Sequence, residues 1–130
     1  MDRMMAAVSA IQAAGVAVNG CFILGAEGET RQSLGAVTEF ILNSSFAEVQ
    51  VTLQTPFPGT VLHRKLAEEG RLLTERGWSA YSLFDLTYHP DQMSVAELES
   101  GFRDVLRKVF SADASRRRNR IRHCIRKRAQ

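Results

Sequence analysis

Gln50-Val-Thr-Leu-Gln-Thr-Pro-Phe-Pro-Gly-Thr60 is the stretch whose reading decides the fold. Val49, Val51 and Leu53 alternate with Gln50, Thr52 and Gln54. A period of two predicts a strand with one apolar and one polar face. Pro56 and Pro58 fix their own φ angles and push the residue before each out of the helical region. Gly59 supplies permissive backbone, and Thr60 is a good N-cap for a following helix. A strand with one polar face that ends at a proline-stiffened turn suits the inner wall of an open α/β barrel, whose functional rim lies at the strands' C-terminal ends. An ordinary β-α turn fits the same spacing.

Upstream, Val16 to Leu24 repeats the pattern. Val18, Gly20, Phe22 and Leu24 share one face, and Ala17, Asn19, Cys21 and Ile23 the other. The loop Gly25 to Glu29 follows, and Thr30 can cap a helix over 30–43 with Leu34, Val37 and Ile41 on one stripe and Phe40 beside it. Strand, helix and strand within about forty residues make a βαβ unit, which implies parallel strands and a right-handed crossover. Two strands alone leave two open edges, so the sheet calls for further strands from another chain or from a longer polypeptide.

The rest of the chain is read from its spacing. Met4, Val8 and Ile11 recur at helical intervals over 3–14, and Gly15 stops that helix. Thr60 to Glu69 is a short helix with Leu62 and Leu66 inward, stopped by Gly70. Residues 71–92 are irregular, with Trp78, Tyr81, Phe84 and Tyr88 expected to pack onto the body. Ser94 with Glu97 forms a capping box for a longer helix carrying Val95, Leu98, Phe102, Val105 and Val109, which ends near Phe110.

The chain has 130 residues, 45% hydrophobic and 24% charged, within the range of ordinary globular proteins. It has no apolar run long enough to span a bilayer and no charged-then-apolar leader, so it reads as cytoplasmic, with no membrane partner. The net charge of +3 conceals a division. Nine cations and all fourteen acids precede Arg116, a net −5, whereas eight cations and no acid lie from Arg116 onward. Repulsion and the few aliphatic side chains there, Ile121 and Ile125, predict a mobile or weakly helical tail that contributes little to folding. The two cysteines, Cys21 and Cys124, are far apart and form no metal-site spacing.

Three groups of residues are candidates for chemistry. The glycine-bearing loop Ile23 to Thr30 precedes a helix N-terminus and could receive an anion, but it lacks the Walker lysine, and Glu27 and Glu29 would repel phosphate. The two strand ends bring together Ile23 and Gly25 from one strand with Leu53, Gln54 and Pro56 from the other. Parallel α/β sheets place ligands at that edge, and these residues could hold a flat heteroaromatic ring. Packing at a barrel rim would use the same residues. The tail has the charge density to bind nucleic acid or another anionic surface, but no aromatic residue for base stacking.

Three segments carry a resemblance. AAGVAVNGCFILGAEGETRQSL (13–34), VQVTLQTPFPGTVLHRKLAEEGRLL (49–73) and the W, Y and TYHPDQMSVAELESGF run ending at Phe102 resemble the C-terminal half of radical SAM enzymes, nearest to those with a B12-binding domain. The likeness runs from about Met4 to Ser115. It implies the C-terminal βα units of a partial (β/α) radical SAM barrel over 1–70, a C-terminal extension with a long helix over 71–115, and a basic tail over 116–130. It also implies S-adenosylmethionine and a [4Fe–4S] cluster at the rim of the intact enzyme, with cobalamin a further cofactor there. On that resemblance the strand ends Ile23-Leu24-Gly25 and Leu53-Gln54 line the adenine pocket, and the candidate cofactor-binding residues are Ile23, Gly25, Leu53, Gln54 and, from the strand-end reading, Pro56. The CxxxCxxC cluster motif of the family is absent from this sequence, so the cluster ligands are missing. The expectation is a catalytically incomplete C-terminal fragment whose partner is the N-terminal half of the barrel, or a second copy through self-association. The other reading is a non-enzymatic module that binds RNA or a protein through the tail.

Overall fold

The computed structural model describes residues 2–128. Within them the chain is a mixed α/β fold of five helices and a two-stranded parallel sheet. In order these are α1 (Asp2–Ala13), β1 (Asn19–Leu24), α2 (Arg31–Asn43), β2 (Glu48–Leu53), α3 (Val61–Glu68), α4 (Val95–Val109) and α5 (Ala112–Arg128), with two short 3-10 turns, Thr74–Arg76 and Trp78–Ala80, between α3 and α4. β1 begins three residues later than the alternation from Val16 suggests. The two strands pair in parallel with Asn19 opposite Glu48 and Leu24 opposite Leu53.

The helices start where their caps stand. The Thr30 hydroxyl accepts from Ser33 N–H at 3.2 Å while Ser33 Oγ accepts from Thr30 N–H at 2.9 Å, so two of the orphan amides of α2 are satisfied reciprocally. Ser94 and Glu97 do the same for α4, at 3.2 and 2.8 Å. One sheet face, made of Leu24, Val51 and Leu53, meets Leu34 and Ile41 of α2 and Leu98, Phe102, Val105 and Val109 of α4 in a single buried cluster. Leu66, Leu86 and Tyr88 close the same cluster. Residues before and after position 70 therefore share one core. At the other end of the sheet Phe22, Phe40 and Phe46 meet edge to face, with centroids 5.9–6.3 Å apart.

Three expectations are corrected by the packing. In α1 only Val8 of the apolar stripe is buried, and Met4 and Ile11 are nearly half exposed. The buried contact is polar instead. Gln12 donates from Nε2 to Ser45 O at 2.9 Å and accepts from Ala47 N–H at 3.1 Å, pinning α1 to the turn before β2. Of the aromatic residues in 71–92, Tyr88 is buried but Trp78 and Phe84 lie 72% and 56% exposed.

The largest correction concerns the tail, which is a docked helix. Ile125 and Arg118 of α5 are buried. Arg118 donates to Val109 O at 2.7 Å, at the C-terminus of α4, and its guanidinium lies 5.4 Å from the Phe110 ring centroid. Arg117 donates to Leu42 O, at the C-terminus of α2, and Arg122 to Ala47 O at 2.9 Å. Carbonyls at a helix C-terminus have no intrahelical partner and carry the negative end of the helix dipole. Arginines that satisfy them offset the repulsion that the composition alone suggests.

Candidate functional site at the strand ends

The C-terminal ends of β1 and β2 lie side by side, as their parallel pairing requires. Gln54 N–H continues the ladder by donating to Leu24 O at 2.7 Å. The sheet face away from the core carries Asn19, Cys21 and Ile23 from β1 and Glu48, Gln50 and Thr52 from β2. All but Thr52 are exposed, and Ile23 is 64% exposed. Among the described residues no strand pairs with the outer edge of β1. The outer edge of β2 is partly covered, because Leu53 N–H donates to Leu83 O at 2.7 Å.

The five candidate residues divide into two groups. Ile23 stands out from the open face, and Gln54 is half-buried with no side-chain hydrogen bond among the described residues. Leu53 and Pro56 are buried outright, backbone included, so neither presents a surface to a ligand here. Gly25 is buried as well. Its carbonyl accepts from Tyr88 Oη, and a Cβ placed on it would run into that hydroxyl and meet Leu98 Cδ2 at 3.2 Å. The glycine therefore admits the phenol of Tyr88. Burial pushes the Tyr88 hydroxyl well above the usual phenol range, which keeps it a donor.

The loop after β1 is closed by the protein's own carboxylates. Glu29 accepts from Gly25 N–H, and Asp91 accepts from Gly28 N–H at 3.0 and 3.2 Å. These are the amides that an incoming phosphate would need. The Gly28 bond holds Asp91 below the usual carboxylate range. Glu27 is held low by its hydrogen bond from Lys65 at 2.6 Å, with Arg71 at 3.3 Å. Arg71 also reaches Glu69 at 2.8 Å and His89 O at 2.8 Å, tying the loop to the segment after α3. Tyr88, Asp91, Lys65 and Arg71 were not legible as loop partners in the sequence. The only cue was the Tyr-His-Pro-Asp run, whose distance from the loop gave no sign that the two meet.

Beyond the rim, Phe57 of the proline turn lies 6.4 Å from Tyr81, and Tyr81 lies 5.3 Å from Trp78, centroid to centroid. Cys21 and Cys124 are both free and exposed, one on the open strand face and the other on α5. Among the described residues no three His, Cys, Asp or Glu side chains gather to hold a metal ion. None of the helices described is long and apolar enough to cross a membrane.

No family model matches the chain. It is similar to bacteriochlorophyllide d C-12(1)-methyltransferase of Chlorobaculum tepidum, with 26% identity over 118 residues. The aligned part is 91% of this chain and 25% of that protein, so the chain spans about a quarter of the relative's length. This is a distant link to a methyltransferase.

Proposed function

We propose that the chain supplies the C-terminal strands of a partial radical SAM barrel and one wall of its S-adenosylmethionine pocket, and is catalytically incomplete without the half that binds the cluster. The observation that carries this reading is the open sheet face. A parallel pair buries most of one side, yet leaves most of the other side and the β1 edge uncovered, with Ile23 and Gln54 at the C-terminal rim. Parallel strands are ordinarily covered on both faces. The resemblance in the loop and proline-turn segments supports the reading, as does the alignment with a quarter of a methyltransferase.

In such an enzyme the [4Fe–4S] cluster with S-adenosylmethionine supplies radical chemistry, and cobalamin would belong to a further domain of the intact protein. The cluster does not fit the residues present. Thiolates hold such clusters, and two exposed cysteines on different elements offer no converging set. S-adenosylmethionine fits in part. Ile23 offers an apolar side chain for one face of the adenine ring, and the free amide of Gln54 offers a donor and an acceptor to its edge.

Anaerobic reconstitution with iron and sulfide, followed by a search for 5′-deoxyadenosine under reducing conditions, tests the incompleteness. The chain alone should hold no cluster and form no product, and product from the chain alone would overturn it. The pocket is tested by titrating S-adenosylmethionine into the chain together with a complementing polypeptide that carries the CxxxCxxC half. Binding should appear in the mixture and weaken in Ile23→Asp and Gln54→Ala. Binding indifferent to both substitutions would sink the assignment of this wall.

A further inference from the structure

Docking of α5 leaves its outward side unexplained. Arg118, Ile121, Arg122 and Ile125 face the body, and Arg117 reaches around to α2. On the opposite side Arg116, Arg120, His123 and Lys127 recur at i, i+4, i+7 and i+11, and all are exposed. At 1.5 Å per residue this ridge is roughly 16 Å long. Arg116 pairs with Asp113, the sole ion pair made by an α5 cation among the described residues. Like charges one turn apart destabilise a helix, so folding alone does not call for such a ridge. Open grooves of ≈ 600 Å³ and ≈ 450 Å³ lie along one side of it, both bordered by Arg117, Arg120 and Ile121. Arg107 and Lys108 of α4 add cations to the larger groove, which Asp113 also borders and whose lining includes the apolar Ile41, Leu42 and Phe46.

We propose that this ridge binds the phosphate backbone of a nucleic acid without reading its sequence. This inference rests on α5 and not on the strand ends. Three features select the partner. The cations of α5 are seven arginines and one lysine, and the guanidinium fork matches phosphate oxygens in pairs. An anionic membrane is disfavoured because a surface-bound helix needs a free apolar face, and of the two isoleucines of α5 Ile125 is buried and Ile121 half-buried. An acidic protein is disfavoured because the crest offers no large apolar anchor of the kind that centres a protein interface. The crest carries no Phe, Tyr or Trp, and His123 is its one ring, so contact stays mainly with the backbone and sequence preference is weak.

The test is fluorescence anisotropy of a short labelled single-stranded RNA of mixed sequence against the full chain over a range of salt. The expected dissociation constant is on the order of 10⁻⁴–10⁻⁶ M at physiological salt, with log K falling linearly in log salt. The double variant Arg120→Glu/Lys127→Glu should weaken binding about tenfold or more and reduce the slope by about 1.4, at about 0.7 per phosphate contact. Circular dichroism establishes that it is folded, and Arg120→Gln/Lys127→Gln gives a milder second variant with the same direction of effect. Arg64→Glu, an exposed cation on α3, should leave binding unchanged. Absence of wild-type binding, an equal loss in Arg64→Glu, or equally tight binding of polyglutamate or phosphatidylserine vesicles would each overturn the proposal.

Discussion

Replacing Gly25 with alanine should destabilise the chain by about 3–6 kcal/mol, a large part of what holds a domain folded. Two causes act together. Gly25 has φ +93, and an L side chain there costs about 1–2 kcal/mol. The new methyl would also collide with Tyr88 Oη and crowd Leu98 Cδ2 at 3.2 Å. Tyr88 is 1% exposed, so its ring cannot retreat without moving its neighbours. Overpacking of that kind costs about 1–3 kcal/mol, and breaking the bond from Tyr88 Oη to Gly25 O adds about 1 kcal/mol. Gly59 supplies the control, because it has φ +84 but open space where a Cβ would point. Gly59→Ala should therefore show the backbone cost alone, about 1–2 kcal/mol. Removing the colliding atom with Tyr88→Phe should make the double variant with Gly25→Ala less unstable than the sum of the single variants, by about 1 kcal/mol or more. Urea unfolding followed by far-ultraviolet circular dichroism, with unchanged m-values, measures the wild type and all four variants. If Gly25→Ala costs no more than Gly59→Ala, or if the two changes simply add, Tyr88 does not set the identity of residue 25.

Ile125→Ala should cost about 2–4 kcal/mol, and deletion of 116–130 should lower the melting temperature by about 10 °C or more, since α5 buries that side chain and caps α2 and α4; an unchanged melting temperature would mean that α5 does not stay docked in solution. Asp91 and Glu27 have folded-state pKa values below their unfolded ones, so their stabilisation is present above the ordinary carboxylate range and is lost as pH falls through the depressed values. Denaturant titrations in acid should show this loss, and Asp91→Asn should flatten part of it; an identical acid profile for wild type and variant would refute the role of the Gly28 contact. The uncovered β1 edge and the exposed Ile23 beside it should make the isolated chain associate as concentration rises. Sedimentation should detect this, Ile23→Lys should reduce it, and a monodisperse wild-type monomer at high concentration would count against the open-face reading.

Some of this protein was settled by its sequence alone because the deciding interactions are local. The alternation around Gln50 and around Cys21 placed both strands and assigned their faces, since strand side chains alternate with a period of two. Thr30, Thr60 and Ser94 marked helix starts because a cap acts within one turn. The parallel pairing followed because a βαβ crossover reverses direction twice. Tertiary structure decided what depends on contacts distant in sequence. Gly25 looked like bare backbone open to a ligand, but Tyr88, sixty-three residues on, occupies that space. The acids of the loop already argued against an anion there, but only the fold shows that Asp91 takes the Gly28 amide. The tail looked too charged to dock, because composition records repulsion among arginines but not the orphan carbonyls of α2 and α4 that receive them. Periodicity states which side of an element is apolar; the groups that the rest of the chain brings to its polar side are fixed only when the chain folds.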